Sequence, residues 1–232
     1  GLFAGMAVGV VISVIVAFLV GLPTLRLKGD YLAIATLGVA EIIRVAVTNM
    51  KLTNGAAGIS GVPLTNTWTI TYIALVLTTI LILNYTFSSA GRATYAVLQD
   101  EIAAESMGVQ VTKYKILAFV LGAATASIGG TLSATTLGAV TPSDFTFMKS
   151  IEVLIIVVFG GIGSFTGSFV AAVLLGIINL VLQPFGQLRM IIYAVALILI
   201  MIFRPGGLLG TWEFKLGDFK FSKKKETKES GK

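Results

Sequence analysis

Hydrophobic residues in this 232-residue chain fall into seven long runs separated by short polar or Gly/Pro-rich stretches. The runs cover roughly residues 2–22, 31–50, 69–87, 114–138, 148–163, 166–183 and 188–204. A helix needs about 20 apolar residues to cross the hydrocarbon of a bilayer, and segments 1, 3, 4, 6 and 7 reach or approach that length. Segment 2 contains Glu41 and Arg44 and segment 5 is short, so both are predicted to be broken, tilted or re-entrant.

Composition supports a membrane location. Hydrophobic residues make up 56% of the chain and charged residues only 12%, whereas about 25% of a soluble domain is charged. The sequence therefore predicts an all-α polytopic membrane protein, a bundle of about seven transmembrane or partly re-entrant helices. Because the chain starts at Gly1 within an apolar run, we expect it to be a fragment that lacks upstream spans. The absence of Cys and His excludes disulfides, thiol catalysis and imidazole proton shuttles.

The distribution of positive charge predicts the orientation, since cytoplasmic loops of membrane proteins are enriched in Lys and Arg. With seven crossings and the C-terminal tail inside, 13 basic residues lie on the inner side and three on the outer side. We predict residues 1–210 as the transmembrane domain and residues 211–232 as a basic, disordered cytoplasmic tail. We therefore interpret the net charge of +6 as a sign of contact with the cytoplasmic membrane surface and not of nucleic-acid binding.

The segment from Gly91 to Gly108 is a charged, helix-prone stretch between two spans. Its apolar positions are Val97, Leu98 and Ile102, and its acidic positions are Asp100, Glu101 and Glu105. Ala103, Ala104 and Gly108 give the pattern A-A-x-x-x-G. Small residues on a helix followed by a Gly suit a short helix that docks into a groove of a partner protein. An ordinary solvated loop helix is the alternative interpretation.

Four residues within or near the spans are candidates for a substrate path: Thr36, Glu41, Arg44 and Glu152. Glu41 and Arg44 are three residues apart and so share a helix face. A charge at the bilayer centre is costly and persists only when it is paired or faces water. The alternative is a structural ion pair between helices, and Glu152, three residues after Lys149, has the same two interpretations.

The chain contains no metal-ligand cluster, no nucleophile with an adjacent base, and no G-x-x-x-x-G-K-[ST] phosphate loop. We therefore predict that it is not an enzyme and that a gradient or another subunit supplies the energy. A gradient-driven transporter or channel would need a titratable relay within the membrane, and two isolated Glu residues make a poor one.

The 91–108 segment resembles the cytoplasmic loop of permease subunits of ATP-binding-cassette importers, which carries an E-A-A-x-x-x-G pattern. Ile102 stands at the position of the Glu, and Glu101 is displaced by one. The chain as a whole resembles the branched-chain amino acid permeases of LivM type. The matching stretches are LRLKGDYLAIATLGVAEIIR (25–44), GRATYAVLQDEIAAESMGV (91–109), SDFTFMKSIEVLIIVVFGGIGSFTGS (143–168) and FRPGGLLG (203–210).

The resemblance implies an importer of branched-chain amino acids in a prokaryotic plasma membrane, or, as the alternative, of urea or short-chain amides. It implies as partners a second homologous permease, two cytoplasmic ATPases and an external substrate-binding protein. The chain itself would hold no cofactor, since ATP is bound by the ATPases. The residues that contact the ATPases would be Glu101, Ala103, Ala104, Glu105 and Gly108.

Overall fold

The computed structural model describes residues 1–182 except Lys28, Asn66 and Ile162, together with Val195 and Ile198. Apart from Val195 and Ile198, segment 7 lies outside the described residues, as do the stretch 203–210 and the tail 211–232, so the predicted boundary at residue 210 stays a prediction. The helices in the described part are α1 (Leu2–Thr24), α2 (Asp30–Asn49), α3 (Trp68–Phe87), α4 (Ser89–Gln99), α5 (Glu101–Ser106), α6 (Val111–Leu137), α7 (Phe147–Gly160) and α8 (Phe165–Val181).

Four of the described helices, α1, α2, α3 and α6, are long and apolar enough to cross a membrane. The prediction of an all-α polytopic membrane protein is thereby confirmed. Helix α7 has 14 residues and α8 has 17. At about 1.5 Å per residue α7 is roughly 21 Å long, which is shorter than the hydrocarbon core.

Helix α2 runs without a break for 20 residues, so of the three forms predicted for segment 2 the broken helix is wrong, while a tilted or re-entrant helix stays a prediction. The continuity of α2 is compatible with its two charged side chains. The guanidinium of Arg44 reaches the carboxylate of Glu41 one turn earlier on the same helix. Glu and Arg both favour the helical conformation, and their pairing within the helix offsets part of the cost of placing charge in a membrane.

Helices α1 and α6 pack along the small residues of α1. A Cβ added at Gly9 would lie 3.1 Å from the Ser127 Oγ, and the Ser13 hydroxyl donates a hydrogen bond of 2.9 Å to the carbonyl of Ala123. Ala17, one turn further, is only 5% exposed. Small side chains let two backbones approach where the hydrophobic effect cannot drive association.

Helix α6 carries small residues at every fourth position, on a face next to the one that meets α1. Its small residues are Ala118, Gly122, Ala126, Gly130 and Ala134. A Cβ at Gly122 or Gly130 would meet nothing within 4 Å, and the residues that contact α1 come one position later along the helix. A four-residue repeat of small side chains does not identify which of two adjacent faces meets the neighbour.

The loops after α2 and after α6 meet at one end of the molecule. Strand β1 (Ile59–Ser60) pairs antiparallel with β2 (Ala139–Val140). Gly58 has φ +72°, and a Cβ there would lie 2.2 Å from the Val140 carbonyl oxygen, so only glycine fits. This pairing agrees with the predicted topology, in which both loops lie on the outer side.

The chain divides into two compact units, Gly1–Phe147 and Met148–Lys232. In the second unit α7 and α8 form a hairpin, in which the Ser164 Oγ caps α8 by accepting a hydrogen bond of 3.0 Å from the amide of Gly167. A Cβ at Gly160 would lie 2.5 Å from the Gly167 backbone, so the two helices touch at these glycines. Segment 5, predicted to be broken, tilted or re-entrant, corresponds to α7, which ends at Gly160 just before this turn.

Candidate coupling loop and membrane charges

Helix α4 follows α3 after a tight turn at Ser88. We call this turn the elbow. The Ser88 Oγ caps α4 by accepting a hydrogen bond from the amide of Gly91 at 3.1 Å and itself donates to the Tyr85 carbonyl at 2.6 Å. The Tyr85 hydroxyl lies 2.6 Å from the Thr94 Oγ1, which joins α3 to α4. A Cβ at Gly91 would lie 2.2 Å from the Tyr85 carbonyl oxygen, so the glycine allows the start of α4 to lie close to the end of α3.

The segment predicted as one amphipathic helix consists of two, α4 and α5, with Asp100 between them. The Asp100 carboxylate accepts hydrogen bonds from the amides of Ile102 at 2.8 Å and Ala103 at 3.0 Å. Asp is among the preferred residues at this capping position because it satisfies amides that have no partner within the helix. Asp100 was assigned in the sequence only as part of the polar side, although its place before a helix-prone run carries the capping signal.

Helix α5 ends in a Schellman turn at Gly108. The amide of Gly108 donates to the Glu105 carbonyl at 2.9 Å, and the amide of Val109 donates to the Ala104 carbonyl at 3.0 Å. Gly108 has φ +82°, a conformation that glycine adopts without strain. The glycine of the A-A-x-x-x-G pattern therefore terminates the helix.

The structure separates the predicted docking residues into two groups. Glu101 forms an ion pair with Lys115 on α6, and Ala104 is only 5% exposed, so both face their own chain. Ala103, Glu105 and Gly108 are exposed and remain available to a partner.

Three apolar side chains of α4, α5 and the turn after α5 face outward. Leu98 is 57% exposed, Ile102 is 73% exposed and Met107 is 84% exposed. We call these three residues the apolar loop residues. The sequence indicated Leu98 and Ile102 as apolar contacts but missed Met107, whose exposure depends on its position at the turn that closes α5.

Within α2, Glu41 and Arg44 form a bidentate pair. The Arg44 Nε donates to the two carboxylate oxygens of Glu41 at 2.9 and 3.1 Å, and Nη2 contacts Oε1 as well. Glu41 lies 8 residues from Asn49 and 11 from Asp30, which puts it about 12 Å from the nearer helix end. Its side chain is 49% exposed on the first unit, so the pair lies on an open face at mid-helix.

The other two candidate path residues lie apart from this pair along the chain. The Thr36 hydroxyl donates to the Leu32 carbonyl of its own helix at 2.9 Å. Glu152, in the second unit, accepts from the Lys149 ammonium at 2.9 Å. Over the described ranges, no group of three or more His, Cys, Asp or Glu side chains could hold a metal ion.

Comparisons with known proteins identify a family of similar sequences. A family model described as the permease component of branched-chain amino acid transport systems matches residues 1–203. The chain is 36% identical to the high-affinity branched-chain amino acid transport system permease protein LivM of Salmonella typhimurium, over 85% of this chain and 55% of that protein. The LivM of Escherichia coli is also 36% identical, over 83% of this chain and 53% of that protein.

A second kind of permease protein matches as well. The LivH of Escherichia coli is 30% identical over 62% of this chain and 46% of that protein. The chain spans about half the length of these curated relatives. No solved structure matches it.

Proposed function

The chain belongs to the family of permease components of branched-chain amino acid transport systems, and on that premise we propose that it is the membrane subunit of an ATP-binding-cassette importer of branched-chain amino acids. Two cytoplasmic ATPase subunits bind the ATP, and an external binding protein delivers the amino acid. The complex lies in a prokaryotic plasma membrane, with the tail of this chain in the cytoplasm.

A second homologous permease completes the proposed membrane domain. Both the LivM and the LivH proteins of Escherichia coli resemble this chain. One organism therefore holds two different permease proteins built on this sequence pattern, which supports pairing of this chain with a homologue.

The observation that carries the proposal is the ordered, apolar loop of α4 and α5. Caps fix both ends of α5, yet Leu98, Ile102 and Met107 stay largely exposed. Burying apolar surface contributes about 25 cal/mol per Å², and a rigid loop loses little entropy on binding. We assign this loop to a groove of the ATPase.

The loop is also connected to the spans that have to move. Tyr85 and Thr94 join α4 to α3, and the Glu101–Lys115 pair joins α5 to α6. When ATP closes the two ATPases, a displacement of the loop reaches α3 and α6 together. Transfer of rigid-body motion through such fixed contacts is a common way to switch a bundle between two states.

The test compares two exposed apolar residues on opposite sides of the membrane. Met107→Glu changes the proposed docking loop, and Leu52→Glu changes the outer loop, with the two side chains 84% and 86% exposed in the native structure. In the purified complete complex, Met107→Glu should abolish the ATP hydrolysis that the loaded binding protein stimulates, while Leu52→Glu retains it. Normal stimulation in Met107→Glu would reject the docking role.

Gly108→Pro and Glu105→Arg are independent variants of the same loop. Proline removes the amide that bonds to the Glu105 carbonyl and fixes φ near −65°, against +82° in the structure. Both variants should insert into the membrane but lose transport-coupled ATP hydrolysis. Coupled hydrolysis at the native rate in both would contradict the proposal.

The substrate is tested by uptake into vesicles with the cognate binding protein, comparing radiolabelled leucine with radiolabelled urea. We expect leucine to be imported. Import of urea without leucine would replace the branched-chain assignment by the amide alternative.

A further inference from the structure

A cavity of about 220 Å³ lies among α1, α2 and α6 in the first unit. Its wall is mainly aliphatic. The lining residues that matter here are Val16, Val39, Ala40, Ile43 and the hydroxyl-bearing Ser13 and Thr36. No charged side chain contributes to this wall, so the cavity is suited to a neutral, apolar group.

The two hydroxyls do not make the cavity a site for an anion. The Ser13 hydroxyl donates to the Ala123 carbonyl at 2.9 Å, and the Thr36 hydroxyl donates to the Leu32 carbonyl at 2.9 Å. Since both protons are already used, each oxygen presents only lone pairs to the cavity. A carboxylate or phosphate would find no donor on these hydroxyls, whereas an aliphatic group needs none.

The size of the cavity fits a small amino acid. At about 30 Å³ for each water-sized group, it holds roughly seven such groups. Valine and leucine have about eight or nine non-hydrogen atoms, and drug-sized ligands occupy about 300–1,000 Å³. The cavity therefore takes a branched aliphatic side chain with part of the backbone of the amino acid.

The cavity lies beside the middle of α1, one of the helices long and apolar enough to cross a membrane. Ser13 is 11 residues from either end of α1, which is about 16 Å from each end. Towards the predicted cytoplasmic end the ring of Phe119 forms part of the wall. A Cβ at Gly21 would lie 3.3 Å from that ring, so the glycine makes room for Phe119 against α1.

We propose that this cavity is the membrane-level binding site for the aliphatic side chain of the transported amino acid. The proposal rests on the proposed function, since it assumes that a branched-chain amino acid passes through this subunit. It assigns selectivity to Ala40, Val39 and Ile43 of α2, in addition to the selectivity of the external binding protein. The Phe119 ring limits how far the side chain reaches towards the cytoplasm.

The experiment fills the cavity and compares two substrates. Ala40→Phe introduces a ring into the wall, and Ala46→Phe makes the same change on the same helix at a residue that is exposed like Ala40 but does not line the cavity. Uptake of leucine and valine is measured in proteoliposomes containing the complete complex and its binding protein. The preference of the binding protein cancels when the leucine-to-valine ratio of a variant is divided by that of the wild type.

A methylene group in an apolar pocket is worth about tenfold or more in discrimination. Ala40→Phe should therefore lower the leucine-to-valine ratio by about tenfold, while Ala46→Phe leaves it unchanged. An unchanged leucine-to-valine ratio in Ala40→Phe, whether uptake of both substrates is retained or falls equally, would overturn the cavity assignment. Failure of the wild-type complex to import leucine would instead refute the proposed function, and this assignment with it.

A second measurement does not depend on the transport rate of any variant. Photo-leucine, the diazirine analogue of leucine, is crosslinked to the wild-type complex during turnover, and the labelled peptides are mapped by mass spectrometry. Label should appear in α1, α2 and α6 and should be suppressed by excess leucine. Label confined to other parts of the complex would overturn the assignment even if Ala40→Phe impairs uptake.

Discussion

Replacement of Gly91 by alanine tests the elbow between α3 and α4. The added Cβ would lie 2.2 Å from the Tyr85 carbonyl oxygen and 2.4 Å from the Thr86 carbonyl oxygen. Both contacts are to backbone, so no side-chain rotation relieves them. To reach the 3.0 Å that Cβ atoms tolerate, α4 has to move away from α3 by roughly 0.8 Å, which disturbs the cap made by Ser88.

The magnitude follows from two opposing effects. Overpacking a well-fitted contact costs about 1–3 kcal/mol, while Ala in place of Gly within a helix gains up to about 1 kcal/mol. The expected net loss is about 1–2 kcal/mol. In a chain of 150–250 residues each kcal/mol lowers Tm by about 2–4 °C, so Gly91→Ala should unfold several degrees below the wild type.

The assay measures thermal unfolding of the purified complex and the ATP hydrolysis stimulated by the loaded binding protein. Gly122→Ala is the matched control, because a Cβ at this helical glycine meets nothing within 4 Å, and it should be as stable as the wild type or slightly more so. If the elbow transmits motion from the loop to α3, Gly91→Ala also lowers stimulated hydrolysis. Native stability and native stimulation in Gly91→Ala would refute both the steric argument and the role of the elbow.

Three further predictions concern charged groups. Glu101→Gln should speed hydrogen exchange in α5 because the contact with Lys115 is weakened, at a cost below about 1 kcal/mol for a partly exposed pair; unchanged protection of α5 would contradict this. Hydrogen bonds from Thr141 hold the pKa of Asp144 below its ordinary value, so the turn around it is stabilised above that value and loses this stabilisation as pH falls through the lowered pKa. Asp144→Asn should remove this pH dependence of proteolytic resistance in the outer loop, and the same dependence in the variant would refute the assignment. If Glu41 and Arg44 pair, their double alanine variant should unfold at a higher temperature than either single variant, and additive losses would exclude the pairing.

The positions of the spans could be predicted from the sequence because hydropathy is a local property. Segment 3, predicted at 69–87, is the helix Trp68–Phe87, and segment 4, predicted at 114–138, is the helix Val111–Leu137. The continuity of α2 could not be predicted in this way. A count of charges suggested an interruption at Glu41 and Arg44, although both residue types favour helix and the two side chains pair with each other.

The candidate docking loop was predictable in position and only partly in orientation. Its limits and its terminating Gly108 follow from the pattern of charged and small residues. The inward orientation of Ala104 and the pairing of Glu101 with Lys115, 14 residues away, depend on the angle between α5 and α6. That angle is set by the turn at Gly108 and by the intervening residues, so it became visible only in the structure.

The geometry of α2 bears on the two interpretations of its charges. An ion pair that holds two helices together would place its partners on different helices, whereas Glu41 and Arg44 lie on one. Their pair is therefore neutral overall and half open at mid-helix, and water or a polar surface beside it would stabilise it further. At about 100° per residue, Arg44 lies roughly 80° around the helix from Thr36 in the cavity wall. One helix thus presents an aliphatic face and a zwitterionic face side by side, which are the two chemistries that an apolar amino acid carries, and this arrangement supports α2 as the wall of the translocation path.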